Sequence, residues 1–395
     1  MTFNQQKFSK QFEKVNGRKP TAAEIQSAAR QKGALPVKSI KAPVAKPEPL
    51  TAAQKLDHEI SKLEVKRDDS AAMLKEALER NRVLEKERSV LLGLDDYSPV
   101  PFIIEPKTSS GSSEAIAFMI ASDHHNEERV LLGDVSNENE YNLDIYHKRS
   151  EKFFQGGQRL WDIMRRDQSV PTLVLGLLGD FITGSIQEDT TESNLLGPSD
   201  AIKNAEDHLI SGIDFLLENT DVDQLIIPCH SGNHGRMTKK QRQSTEQSNS
   251  LELIMYRNMA RHYEDNERVQ FKIAPGYHSF MRVEGQGDDE REFLIRLHHG
   301  HNINYGGGVG GITIPVLKAI ANWNTQSMYR NVNLDVFGHF HQYINYGSFV
   351  CNGSLIGYNA YANSIKASFE RPQQAFFMVS RKYMAKTMST PIFVD

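Results

Sequence analysis

From about residue 114 the chain falls into short apolar runs, each closed by polar and glycine residues. They are Ala115 to Ala121, Thr172 to Leu178, Gln224 to Pro228, Phe293 to Leu297 and Leu334 to Phe337. Runs of this length are strand-sized, and unbroken rather than alternating polarity marks strands buried on both faces. Helical stretches lie between the earlier ones, over about 144 to 167, 199 to 218 and 248 to 265. Buried strands alternating with helices predict an α/β domain. Two later runs, Ser348 to Cys351 and Ala375 to Val379, have no long helices between them. That end is expected to be a mixed sheet or two packed sheets.

The first hundred residues have a different texture. Pro20-Thr21-Ala22-Ala23-Glu24 reads as a helix start, with Thr21 as N-cap and Glu24 closing a capping box. That helix is expected to end near Gly33, with no convincing second helix beside it. Residues 36 to 50, with Pro36, Pro43, Pro47 and Pro49, read as an extended linker. Residues 51 to 92, free of Gly and Pro after Thr51 until the end, read as one long helix. Leu56, Ile60, Leu63, Leu74, Leu84 and Leu91 approach heptad spacing, but Arg67, Ser70, Asn81 and Arg88 interrupt the seam. That pattern suits a helical hairpin arm or weak self-association better than a long stable coiled coil. Tyr97 to Ser113 reads as a second linker. The expected plan is therefore a basic, partly disordered arm (1–50), a long helix (51–92), a linker (93–113) and an α/β domain (114–395).

Composition narrows the class. The chain has 395 residues, 39% of them hydrophobic, which excludes a fibrous or mostly disordered protein. No apolar run approaches the roughly 20 residues of a membrane span, and Met1 to Lys10 lacks a signal-peptide core. Cys229 and Cys351 are too few for a disulfide framework or a cysteine zinc site. They suggest a reducing compartment, the cytoplasm. The formal net charge of -4 hides a split: residues 1 to 50 hold ten Lys/Arg and three Glu, giving +7 and leaving -11 for the rest. A basic arm beside an acidic body fits either a nucleic-acid contact or a solvated tail.

Histidine carries the chemistry. Each of the five main runs ends in metal-competent residues: Asp123-His124-His125, Gly179-Asp180, Gly232-Asn233-His234, His298-His299-Gly300-His301 and Gly338-His339-Phe340-His341. Ligands in open α/β sheets gather at the carboxyl ends of strands, so these clusters are expected to converge. Carboxylates, imidazoles and an amide oxygen suit divalent metals such as Mn, Fe or Zn. Any one cluster is an ordinary turn or a core histidine; five in order, each after an apolar run, are not.

The set Asp-x-His, Gly-Asp, Gly-Asn-His, His-Gly-His and Gly-His-x-His resembles the calcineurin-like metallophosphoesterase superfamily, over about residues 114 to 380. The resemblance implies a four-layer α/β sandwich, here with an N-terminal helical extension, and two divalent ions, manganese before Fe, Zn or Mg. It implies one metal held by Asp123, His125 and His341, a second by Asn233, His299 and His339, and Asp180 between them. It further implies that water made acidic by both ions attacks phosphorus, with His234 assisting the leaving oxygen. The segment Asn352 to Gly357, followed by Tyr361-Ala362, loosely resembles phage and exonuclease-like members, whose setting would be the host cytoplasm.

Two positions depart from the family pattern. Gly235 stands where an acid often follows Gly-Asn-His, and Thr183 stands three residues after Gly-Asp. A carboxylate orienting His234 must then come from elsewhere or be missing. Arg236 is suited to grip a phosphate. His298, His299 and His301 each remain candidate ligands; the register favours His299, which leaves His301 beside the site for substrate. Gln187 to Pro198 and Lys239 to Ser250 are polar insertions suited to a substrate rim. Tyr305 to Gly311 is glycine-rich without a P-loop ending and reads as a loop beside the metals. The expected activity is a metal-dependent phosphoesterase, foremost a nuclease or phosphodiesterase on DNA or RNA. Phosphomonoester hydrolysis, of nucleotides or proteins, and a non-catalytic nucleic-acid-binding or particle-associated protein with a vestigial site are the alternatives.

Overall fold

The computed structural model describes residues 4–30, 101–105, 113–186, 188–242, 244–286, 289–305, 311–326, 331–364 and 367–395. The chain divides into two units, Met1–Asp95 and Asp96–Asp395.

In the first unit the capping box at Thr21 forms as expected. The Thr21 N–H donates to the Glu24 carboxylate (2.8 Å), and the Glu24 N–H donates to the Thr21 hydroxyl (3.4 Å). The helix runs Ala22–Arg30. A second helix does exist, before it rather than after: Gln5–Asn16, capped by the Asn4 side chain and ended by Gly17 at φ 70. Phe8 and Ala28 are buried. The linker at 36–50, the long helix at 51–92 and its heptad seam lie outside the described residues.

In the second unit, residues 115 to 121 show why the strand reading worked. Ala115, Ala117, Met119 and Ala121 point to one face. Ile116, Phe118 and Ile120 point to the other. Both faces are covered, so apolar side chains are required at every position. This strand, β2 (Glu114–Ala121), lies in a six-stranded sheet of order β12-β11-β2-β3-β4-β5. Its partners are β3 (Ser169–Leu177), β4 (Gln224–Cys229), β5 (Val269–Ile273), β11 (Gln373–Ser380) and β12 (Ala385–Phe393). β2 to β5 are parallel, and β11 and β12 close the sheet antiparallel.

The second sheet has the order β1-β6-β7-β8-β10-β9. Its strands are β1 (Phe102–Ile104), β6 (Ser279–Glu284), β7 (Glu292–Leu297), β8 (Leu334–Phe337), β9 (Ile344–Asn345) and β10 (Phe349–Cys351). Between the sheets lies one core, in which Phe118 and Ile120 meet Met281, Ile295, Val336 and Phe377. The helices Leu143–Met164, Pro198–Asn219 and Leu251–His262 cover the outer face of the first sheet. Val316 and Ile320, from the helix Thr313–Gln326, cover the outer face of the second. The architecture is the expected four-layer α/β sandwich.

Several elements escaped the hydrophobic pattern. β1 falls within residues expected to be linker; three residues flanked by Pro101 and Pro106 carry little periodicity, yet Ile104 is buried and pairs with Val283. β5 and β12 are edge strands with half-exposed side chains, and Pro391 is tolerated on β12 because an edge need not donate outward. Among the described residues no helix is long and apolar enough to cross a membrane.

Candidate metal centre

The five strand ends converge, and the backbone is bent to bring them there. Asp123, His125, Asp180, His339 and His341 all have positive φ, between 46 and 73. Non-glycine residues rarely adopt this left-handed region, and each instance costs on the order of 1–3 kcal/mol. Five at one place mark a site the rest of the fold holds in strain. The loops are stitched together by main-chain bonds, Asp123 N–H to Gly179 O (3.0 Å), His125 N–H to Asp180 O (3.1 Å) and Gly338 N–H to His299 O (2.8 Å).

The motif glycines are there for room. A Cβ on Gly232 would lie 2.0 Å from Asp180 Oδ1, and one on Gly338 would lie 2.3 Å from Asp123 Oδ2. Any side chain at either position would push a carboxylate out of place.

The side chains fall into overlapping sets whose ligand atoms lie within 4.8 Å of one another: Asp123, His125 and His341; Asp180, His299 and His339; and His125, Asp180 and His234. His341 Nε2 is 3.5 Å from Asp123 Oδ1 and 3.2 Å from His125 Nε2. His299 Nε2 is 2.8 Å from Asp180 Oδ2. The far nitrogens are engaged. His299 Nδ1 lies 2.6 Å from the Leu178 carbonyl, to which it donates. His125 Nδ1 meets the Thr183 hydroxyl at 3.0 Å. Each ring is thereby held by one nitrogen while the other is turned inward, as metal-ligating histidines are.

The donor set fits divalent cations. Two imidazole nitrogens 3.2 Å apart repel through their lone pairs unless a proton or cation intervenes. Asn233 Oδ1 is buried with no hydrogen-bond partner, as a ligand oxygen would be. Burial, with neighbouring imidazoles, pulls His125 and His339 well below the usual histidine range, so they stay neutral, the form that ligates. His299 goes the other way. Burial pulls it down, but Asp180 beside it raises it to about 10. Burial likewise pushes the Asp180 carboxyl up, and the charges on His299 and His234 outweigh this and hold it well below the carboxylate range. The pocket demands positive charge.

The remaining expected residues are placed as follows. The His234 ring stands 4.8 Å from that of His125, and its Nδ1 donates to the Thr183 carbonyl (3.0 Å). A main-chain oxygen thus orients it, in place of the missing carboxylate. The Arg236 guanidinium bonds back to the Asn233 carbonyl. His301 Nε2 lies 2.6 Å from Glu246, within one of the polar insertions, and its ring is 5.5 Å from that of His299. His298 points to the opposite side, stacked on Phe337. Residues 306–310 of the glycine-rich segment lie outside the described residues.

Three acids were not anticipated. Glu252 accepts from Phe181 N–H and Gly232 N–H, both at 2.7 Å, and so ties two ligand loops together; a Cβ on Gly235 would lie 2.9 Å from its Cγ. A side chain at 235 and Glu252 compete for one space, which accounts for that departure. Glu127 accepts from Thr183 N–H and Gly184 N–H, both at 2.8 Å. Glu128 accepts from the Thr183 hydroxyl. The centre opens into a cavity of about 660 Å³ lined by His125, His234, His339 and His341, and farther out by Arg129, Ser193, Asn359 and Tyr361.

No protein-family model matches the chain, and no curated protein matches it. Among solved structures, a dimetal phosphatase from Danio rerio is similar over 71% of this chain and 99% of that one, at 11% identity and a TM-score of 0.31. The sulfate thiohydrolase SoxB of Thermus thermophilus, in complex with glycerol, is similar over 73% of this chain and 58% of that one, at 8% identity and a TM-score of 0.29.

Proposed function

We propose that this chain is a dinuclear metal-dependent phosphoesterase. The observation that carries the reading is the convergence of Asp123, His125 and His341 with Asp180, His299 and His339, the unpartnered Asn233 oxygen beside them. Asp123, His125 and His341 would hold one divalent cation, Asn233, His299 and His339 a second, and Asp180 would face both. Such cations supply Lewis acidity that activates water and draws off charge from a phosphoryl oxygen. Manganese is the ion we infer first; Fe, Zn and Mg are the others a carboxylate, amide and imidazole set can take, and affinity alone does not choose among them.

The chain's own groups do the rest. His234, donating from Nδ1 to the Thr183 carbonyl, turns Nε2 away from that bond. From there it can hold a proton for the departing oxygen. Arg236 and His301 are the substrate contacts inferred in this reading, and each would have to leave its present partner, the Asn233 carbonyl or Glu246, to reach the substrate. The strained loops keep the ligands in place before substrate arrives, so little reorganisation remains to be done.

The substrate we infer is nucleic acid, cleaved as a phosphodiester. Its support is the +7 charge of residues 1 to 50 and a cavity larger than a phosphate group requires. The same residues suit phosphomonoester hydrolysis, and self-association through residues 51 to 92 belongs to this proposal too. Two buried free thiols, Cys229 and Cys351, support a cytoplasmic setting. The test is a panel of aryl phosphomonoester, aryl phosphodiester, cyclic nucleotide, single-stranded and duplex DNA under Mn. Turnover of the diesters and DNA is expected. Turnover of the monoester alone removes the nucleic-acid reading, and no turnover with fewer than two ions bound per chain removes the enzyme.

A further inference from the structure

Glu128 is a buried carboxylate at the cavity wall, unused so far, and both its oxygens accept. The Thr183 hydroxyl donates to Oε2 at 3.2 Å. The Asn359 amide donates to Oε1 at 3.1 Å. Each bond leads to a different proposed ligand. The Thr183 hydroxyl, its proton spent on Glu128, has only lone pairs left for His125 Nδ1 at 3.0 Å. His125 must then carry its proton on Nδ1, leaving Nε2 bare toward Asp123 and His341. On the other branch, Asn359 Oδ1 accepts the Ala362 N–H (3.0 Å) and caps the short helix Ala360–Ser364. Tyr361 of that helix places its ring 5.5 Å from the ring of His341.

We propose that Glu128 is a positioning residue for this centre: through Thr183 it decides which nitrogen of His125 is bare, and through Asn359 it anchors the wall against which His341 rests. This rests on the reading of His125 and His341 as metal ligands. The argument turns on hydrogen-bond polarity. A carboxylate accepts on both oxygens, whereas an amide accepts on one side and donates on the other. Asn359 cannot turn round, because its oxygen is committed to Ala362. In Glu128→Gln the amide nitrogen therefore faces Thr183, the hydroxyl accepts from it, and the hydroxyl proton turns toward His125. The proton of His125 is driven to Nε2, the nitrogen that has to be bare.

The experiment is calorimetric titration of the full chain with Mn at one pH, for wild type, Glu128→Gln, Thr183→Val, Thr183→Ser and the Glu128→Gln/Thr183→Val double variant. Metal-free melting shows first that each is folded. Losing a group that hydrogen-bonds a metal-ligating histidine typically weakens a site 10- to 100-fold, so a loss of about that size is expected for Glu128→Gln and Thr183→Val, near wild-type affinity for Thr183→Ser, and no further loss in the double variant. Wild-type affinity in a folded Glu128→Gln overturns the proposal, as do additive losses in the double. Should Glu128→Gln not fold, Thr183→Val against Thr183→Ser decides: equal affinities overturn it. A wild type that binds no Mn overturns the metal-site reading instead, which is a different result.

Discussion

His298 and His299 are adjacent in the chain and end in opposite surroundings. His298 faces the outer side of the second sheet. Its ring stacks on Phe337 at 5.0 Å, and Nε2 lies 3.5 Å from Asp335. That carboxylate is already answered, because Arg296 grips it through Nε (2.6 Å) and Nη2 (3.1 Å) and lies over the Trp323 ring. His299 faces Asp180, and among the described residues no Lys or Arg pairs with Asp180 or Asp123. Burial and the charge of Arg296 keep His298 neutral, whereas His299 is pushed up to about 10. Both places bury a carboxylate beside histidine. One is answered by an arginine and is closed; at the other the carboxylate is met by histidine, a partner that a metal ion could replace. Buried charge alone does not mark a functional site; buried carboxylates met only by histidines point to one.

Removing the Asp180 carboxylate is the hardest blow to that comparison. Asp180→Asn is expected to lower phosphodiester turnover at least about a thousandfold, roughly 4 kcal/mol of barrier, and to leave fewer than two Mn per chain by elemental analysis. Unchanged turnover with both ions retained would remove the distinction between the two places. On the closed side, Asp335→Asn leaves the Arg296 charge buried and uncompensated, which should cost about 3–5 kcal/mol in thermal or denaturant melting. Mn content should not change. A loss of metal there would mean the two sides are one site. Next in size are the neighbouring histidines themselves. His299→Gln should weaken Mn about 10- to 100-fold, while His298→Phe, keeping the stack on Phe337, should leave it within about twofold. The reverse ranking would overturn the assignment of the fourth cluster.

The centre was legible because its parts are short-range. Each cluster sits immediately after a run that is apolar for its own reason, burial between two layers, so strand and ligand announce each other. Among the histidines at 298, 299 and 301 the register favours His299 but leaves the other two as candidates; the structure turns His298 toward Asp335 and His299 toward Asp180. Glu127, Glu128 and Glu252 were not legible as site residues. Their partners, Thr183, Gly184, Asn359, Phe181 and Gly232, lie scattered along the chain and form no motif. The departure at Gly235 was a signal for Glu252 that pointed nowhere until the helix Leu251–His262 was placed. In the first unit the local signal is complete: Asn4 as cap, Phe8 and Phe12 one turn apart, and Gly17 at the end describe the helix Gln5–Asn16. The edge strands were silent for a simpler reason, half their side chains facing outward.

Glu370 is an intermediate case, and the smallest expected effect. Its carboxylate is answered by neutral donors, the Tyr343 N–H at 2.9–3.0 Å and the Gln373 amide, and by no Lys or Arg among the described residues. Burial outweighs those hydrogen bonds and pushes it up to about 7. The folded state therefore holds the proton more tightly than the unfolded chain. The stability that proton brings is fully present below the unfolded value near 4.5 and drains away as pH rises through about 7. Glu370→Gln keeps an oxygen for the Tyr343 N–H and cannot ionise. It should match wild type at pH 5 and exceed it at pH 8 by about 1 kcal/mol, discounted for partial exposure, or roughly 2–4 °C in melting temperature. The comparison is sharpened if this gap opens with pH, because neutral donors then fail to compensate a buried charge as Arg296 does for Asp335. A variant that tracks wild type at both pH values would show that hydrogen bonds from neutral groups suffice, and that the demand for a cation at Asp180 needs the crowding of histidines as well as the missing arginine.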